Sequence, residues 1–186
     1  PLYIITDASQ VACGSLLYQI VKYEKNEEGL KKLCEDLGFE PDLSKNECVI
    51  DMVPGVSVGA NTPVVTDFCT STEEEYDKLK TLHSSETYTA KKKRLSEKYV
   101  FIVKPCCWYS KTFSLSQIRS FSSMEKEFFG ILLSCLNFRE YIESAVITYL
   151  LSDSQSILWA LKHRESNLKI SRWCLKLFEY RFNLIM

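Results

Sequence analysis

Ala145-Val146-Ile147-Thr148-Tyr149-Leu150-Leu151 is an almost unbroken apolar run that stops at Ser152-Asp153-Ser154. A run of this kind is the mark of a β-strand buried on both faces. Such a strand belongs inside a sheet whose two faces are covered by helices, so the chain is read as α/β. Ser152-Asp153-Ser154 is a good helix start, and Ile157, Leu158 and Leu161 follow it at helical spacing.

The rest of the pattern supplies partners for that strand. Residues 2–6 are apolar and β-prone and end at Thr6-Asp7-Ala8-Ser9, and a second apolar stretch runs from Ala12 to Ile20. Two such stretches joined by turn formers predict a β-hairpin. Tyr99 to Tyr109 reads as a third strand, with Pro105 marking a bulge or a strand start. A strong helix follows. Ser122 stands three residues before Glu125, the capping-box spacing, and Met124, Phe128, Ile131, Leu132, Cys135, Leu136 and Phe138 recur at helical intervals. Gly130 costs that helix about 1 kcal/mol against alanine, which makes sense where the helix must approach a sheet closely. Ile170, Trp173, Leu177 and Tyr180 mark another helix, and Phe182 to Met186 begin a last strand. The expected architecture is a mixed central sheet of about five strands flanked by helices.

Charge divides the chain. Residues 20–99 hold 12 basic and 16 acidic side chains, whereas the remainder holds 11 and 8. The apolar pattern changes at the same borders. We therefore expect a domain made of 1–20 and 99–186, with 21–98 as a mainly helical insertion between the second and third strands. Gly29–Leu37 and Thr72–Leu82 are its best helix candidates. Lys91-Lys92-Lys93-Arg94 is a short basic run within it, read as a solvated face in preference to a nucleic-acid contact. The whole chain, 186 residues with a net charge of −1, has no global pull toward nucleic acid or membrane. Apolar residues at 46% exclude disorder throughout, no run is long enough to span a membrane, and Pro1 to Thr6 does not read as a signal peptide. The eight cysteines are scattered without a Cys-x-x-Cys pair and only His83 and His163 accompany them, so no structural zinc site is expected. They are read as reduced core residues of an intracellular, cytoplasmic protein.

Three acids stand at the ends of these elements. Asp7 ends the first strand, Asp153 follows the buried run, and Glu127 lies in the first turns of the long helix. If the first and fourth strands are parallel neighbours, Asp7 and Asp153 come side by side, and a helix across the sheet can bring Glu127 to them. Clustered carboxylates repel one another, and bound cations make such a cluster sensible. Oxygen-only ligands favour Mg²⁺ or Mn²⁺, and two such ions suit phosphodiester hydrolysis. Taken singly, Asp7 and Asp153 read equally as turn formers or N-caps and Glu127 as a solvated helix residue. Lys169, Arg172 and Lys176 fall on one face of a helix, a stripe that suits either a phosphate backbone or solvent.

The local sequences narrow the choice. Thr6-Asp7-Ala8-Ser9 followed by Gly14, Trp108 to Ser114, Ser122 to Leu132 with Glu125-Lys126-Glu127, Phe138-Arg139-Glu140-Tyr141-Ile142, Ser152-Asp153-Ser154-Gln155, Ser171-Arg172-Trp173 and Leu177-x-Glu179-Tyr180 stand in one order. Together they resemble the ribonuclease H domain of long-terminal-repeat retroelement reverse transcriptases, closest to the Ty3/gypsy-like elements, and of retroviral ones. The resemblance implies a ribonuclease H-like fold and hydrolysis of the RNA strand of an RNA·DNA hybrid with two Mg²⁺ or Mn²⁺ ions. By motif position it makes Asp7, Glu127 and Asp153 the catalytic, metal-binding acids. Ser9 and Gln155 accompany the acids and are candidates to meet the ribose 2′-OH, with Lys169, Arg172 and Lys176 on the phosphates. It also implies a polymerase domain in the parent chain, within a virus-like particle or replication complex. The acid order Asp, Glu, Asp argues against an integrase.

Two departures stand out. The family's fourth acid, beyond the Leu-x-Glu-Tyr segment, is not in this sequence, so the chain reads as a C-terminally incomplete piece of a polyprotein. The family also joins its second and third strands by a short turn where about 80 residues intervene here. Both departures favour an alternative: a catalytically degenerate module used for scaffolding or partner binding. The insertion leaves from the end of the second strand away from Asp7, so we expect it to dock a partner or neighbouring domain and to stay out of the chemistry. A chain with 22–97 replaced by a short turn should keep its Mn²⁺ binding; a folded deletion that binds none would sink that expectation.

Overall fold

The computed structural model describes residues 1–45, 49–50, 52–53, 64–65, 85–152, 159–160 and 163–185. Its strands are β1 (Leu2–Ala8), β2 (Ala12–Glu24), β3 (Val64–Val65), β4 (Tyr99–Thr112), β5 (Thr148–Leu151) and β6 (Asn183–Ile185). Its helices are α1 (Glu27–Leu37), α2 (Ser85–Lys98), α3 (Leu115–Ser120), α4 (Ser123–Asn137), α5 (Arg139–Ser144) and α6 (Leu168–Leu177). The strands form one mixed sheet in the order β3-β6-β5-β1-β2-β4. β1 runs antiparallel to β2 and parallel to β5, β5 is parallel to β6, and β3 is antiparallel to β6. The sheet flanked by helices is the α/β architecture expected of a ribonuclease H-like fold, with β3 adding one short strand to the about five expected.

The described residues within Pro1–Gln19, Val64–Lys78 and Pro105–Met186 form one compact unit, and those within Ile20–Pro63 and Leu79–Lys104 a second. In the first unit, cross-strand register places three tyrosines in a row. Tyr3 is opposite Tyr18 on β2 and Tyr149 on β5. The rings stack with centroids 5.4 and 5.3 Å apart, the arrangement that makes cross-strand aromatic pairs stabilising. Burial, then the neighbouring Tyr149 and Tyr18 phenols, pushes the Tyr3 hydroxyl up to about 12, and burial takes Tyr18 to about 12 as well.

α4 covers the sheet on this unit. Ser122 caps it: its hydroxyl accepts from the Glu125 N–H at 3.2 Å while the Glu125 carboxylate accepts from the Ser122 N–H at 2.7 Å. That is the capping box read from the spacing. The helix is buried on most of its circumference, from Phe128 through Ile131 and Leu132 to Cys135. Gly130 is the point of closest approach. A Cβ there would stand 3.2 Å from Cys13 Cβ on β2 and 3.6 Å from Ala8 Cβ on β1.

The second unit packs two small cores. Tyr23, Leu33 and Val100 join Val21, Leu30, Leu37 and Ile102, while Ile50 and Phe101 join Val53, Leu95 and Tyr99. Strand alternation along Tyr99–Ile102 sends successive side chains to the two clusters. α1 starts where Asn26 accepts from the Gly29 N–H at 2.7 Å, and it ends where Gly38 takes the left-handed conformation at φ 74°. The Tyr23 hydroxyl donates to Asp36 Oδ2 at 2.6 Å. That bond, together with Lys104, holds the Asp36 carboxyl below the usual carboxylate range.

Several boundaries differ from the sequence reading. β2 continues to Glu24, past Ile20, because Val21 and Tyr23 bury into the second unit. Pro105 lies within an uninterrupted β4, tolerated because β4 is an edge of the sheet. β5 begins only at Thr148, and Val146 is 98% exposed, so the apolar run enters the sheet three residues later than its composition suggests. Cys13, Cys135 and Cys174 are core residues as read, but Cys106 is exposed on β4. Thr72–Leu82, Cys48, Cys69 and the start of the helix after Asp153 lie outside the described residues. The close approach at Gly130 leaves no room for a larger side chain. Gly130→Val should lower unfolding stability by about 1–3 kcal/mol, the usual cost of overpacking, and an unchanged urea midpoint would contradict the packing described.

Candidate active site

The parallel pairing of β1 with β5 brings two chain ends together. Its register runs from Leu2 opposite Thr148 to Ile5 opposite Leu151, and both strands run toward the same end of the sheet. Asp7 is two residues past Ile5, paired with Gly14 of β2, and is exposed. α4 packs across β1 and presents Glu127, partly buried, to the same place. Thr6, Asp7, Ala8, Glu127 and Ser152 line one cleft of about 70 Å³, room for a few waters or a small cation with part of its hydration shell. Asp153 follows Ser152 in the chain and, like Gln155, lies outside the described residues.

The two described acids thus come from a strand and a helix 120 residues apart in sequence and meet in one cleft. Every polar side chain lining it offers oxygen, the donor type of a hard cation such as Mg²⁺ or Mn²⁺, so the site chemistry fits the metal that the resemblance implies. Among the described residues no cluster of three or more His, Cys, Asp or Glu is assembled.

Each residue of the Glu125-Lys126-Glu127 segment has a separate task. Glu125 is buried. Besides capping α4, it forms an ion pair with Lys169 of α6. The Lys169 ammonium also lies 4.4 Å from the centre of the Phe121 ring and 5.5 Å from that of Trp173. Trp173 is in turn packed against Phe129 at 4.9 Å and Phe121 at 5.3 Å. Lys169 is therefore committed to joining α4 to α6, whereas Arg172 and Lys176 stand exposed on α6. The three basic residues expected on one face divide into one strut and two solvent-facing charges. Asn167 starts that helix by accepting from the Lys169 and Ile170 N–H groups.

Lys126, only 4% exposed, donates to Gln10 Oε1 at 2.8 Å, in the turn between β1 and β2. The turn itself is held by Ser9, whose hydroxyl accepts from the Val11 and Ala12 N–H groups and donates to the Ala12 carbonyl. Ser9 is thus engaged in the turn rather than presented toward the cleft. Sequence reasoning passed over Lys126 and Gln10. The signal was there: Lys126, Gly130 and Ser134 fall at i, i+4 and i+8, so a charged residue shares the face that meets the sheet.

Burial by itself would raise the Glu125 carboxyl, but the Lys169 ammonium and the Ser122 N–H outweigh it and hold the group below the usual carboxylate range. The folded form therefore binds its proton more weakly than the unfolded chain. The pair's contribution to stability is complete above the ordinary glutamate range and is lost as pH falls below it through the lowered folded value. Wild type should lose stability steeply over that acid window in urea titrations, and Glu125→Gln should show a flatter profile; parallel profiles would refute the pairing.

The sequence pattern of the RNase H-like domain found in reverse transcriptase matches residues 83–180. The match takes in Glu127, Asp153 and the whole of α4 and α6, and leaves Asp7 outside it. No curated protein matches the chain. More than half of the sequence carries this one pattern, and the chain belongs to the family of RNase H-like domains found in reverse transcriptases.

Proposed function

We propose that this domain hydrolyses the RNA strand of RNA·DNA hybrids, as the nuclease part of a reverse transcriptase polyprotein acting in the cytoplasm. The observation that carries the reading is the convergence of Asp7 and Glu127 on one oxygen-lined cleft beside Ser152. In this reading Asp7, Glu127 and Asp153 are the catalytic acids and would hold two Mg²⁺ or Mn²⁺ ions. Bound there, the ions would supply an activated water and a counter-charge for the leaving oxygen. The chain's own residues do the rest. The acids fix the cations at the sheet edge, and Thr6 and Ser152 close the sides of the cleft. Arg172 and Lys176, exposed on α6, neutralise backbone phosphates, while Lys169 orients that helix through Glu125. With the Ser9 hydroxyl engaged in its turn, Gln155 is the remaining candidate in this reading for the ribose 2′-OH that separates RNA from DNA.

The test is cleavage of an end-labelled RNA·DNA hybrid with Mg²⁺ or Mn²⁺, using this chain and a form extended at its C-terminus. Asp7→Asn, Glu127→Gln and Asp153→Asn should each reduce cutting by roughly 100-fold or more, the scale at which fixed electrostatic groups act. Arg172→Met should weaken hybrid binding and reduce its salt dependence by about one counter-ion. If neither form cuts while the fold is intact, the domain is a binding module whose chemistry has been lost.

A further inference from the structure

Lys126 is placed at some cost. Its ammonium is almost fully buried, a position that lysine rarely occupies unless paired with an acid. It stands in the first turn and a half of α4, where the helix dipole disfavours a positive charge. Its hydrogen-bond partner is the neutral amide of Gln10, at 2.8 Å. A methionine or leucine would bury the same stem without these penalties, so the fold alone does not call for a lysine.

The placement of Gln10 suggests what the lysine is for. Gln10 sits in the Ser9–Val11 turn, immediately after the end of the strand that carries Asp7. Lys126 immediately precedes Glu127. The Lys126–Gln10 bond therefore ties the two chain segments that carry the two acids, one residue from Glu127 and three from Asp7. The next tie is Gly130 against Ala8 and Cys13, one helical turn further along α4. The turn's own link to the neighbouring strand, Phe113 N–H to the Val11 carbonyl at 2.8 Å, does not involve the helix. The capping box and the Glu125–Lys169 pair hold the N-terminal turn of α4 to its own loop and to α6, so without Lys126 its hydrogen-bonded tie to the β1–β2 turn is lost.

We propose that Lys126 is a positioning residue: through Gln10 it sets the separation of Glu127 from Asp7, and so the affinity of the cleft for a divalent cation. This rests on the reading of that cleft as a cation site. It is distinct from an electrostatic role, and the two differ in sign. An ammonium acting through space on two carboxylates opposes cation binding, and its removal would tighten it. An ammonium acting as a tether supports cation binding, and its removal weakens it.

Mn²⁺ affinity of the folded chain, followed by electron paramagnetic resonance without substrate, decides the matter. Lys126→Met is expected to weaken Mn²⁺ binding about tenfold, the usual effect of losing a group that orients a metal ligand. Gln10→Leu, a change in an exposed turn that does not threaten the fold, should do the same. The double variant should be no weaker than either alone, because one link is being cut twice. Gln10→Glu keeps the acceptor and should bind Mn²⁺ at least as well as wild type. Unchanged or tighter binding in Gln10→Leu or in folded Lys126→Met overturns the tether while leaving the cation site standing. Wild type that binds no Mn²⁺, or Asp7→Asn that binds it as well as wild type, overturns the cation site and the tether with it.

Discussion

The closeness of α4 to the β1–β2 hairpin is the constraint on which the first unit depends. At Gly130 the helix backbone comes near enough to Cys13 and Ala8 that even a methyl group would press on Cys13. A helix pressed this tightly cannot slide, and its rotation about its own axis is fixed by what flanks the contact. Phe128, Ile131, Leu132 and Cys135 then have one set of neighbours available to them. The glycine gives up helix propensity to obtain this. At the N-terminus the capping box and the Glu125–Lys169 pair both act on the same turn and work against that loss. The position of a carboxylate at the sheet edge is thus the end of a chain of causes that begins with the absence of a methyl group.

Much of this was legible in the sequence because it rests on short-range rules. The hairpin, the capping box at Ser122 and Glu125, the reason for Gly130 and the strand ending before Ser152 follow from local periodicity and turn chemistry. What local rules could not give was the partner of a long side chain. Lys169, Arg172 and Lys176 occupy equivalent positions on a helical wheel, and only the packing of Phe121 and Trp173 beside Glu125 distinguishes the first from the other two. The extent of β2 and the late start of β5 failed for a related reason. Strand ends are set by what lies across the sheet, and Val146 is as apolar as Leu150 whether or not a neighbour covers it.

The second unit takes its cores from strand ends as well as from the chain between them. Its cores draw on the far part of β2 and the near part of β4, so Tyr23, Val100 and Phe101 serve the segment while the remainder of the same strands serves the first unit. The Tyr23–Asp36 hydrogen bond closes one side of this arrangement from within the unit.

The three consecutive residues Glu125, Lys126 and Glu127 face an α6 lysine, a hairpin glutamine and the cleft, respectively. Successive residues of a helix point about 100° apart, so this division of labour is available only in one phase of the helix. Insertion or loss of a single residue between Ser122 and Gly130 would turn all three side chains at once and misdirect every one of them. Substitutions in that stretch can be absorbed one position at a time, but a change of length cannot. Among chains built on this plan, the number of residues from the cap to the glycine is expected to be invariant even where their identities drift.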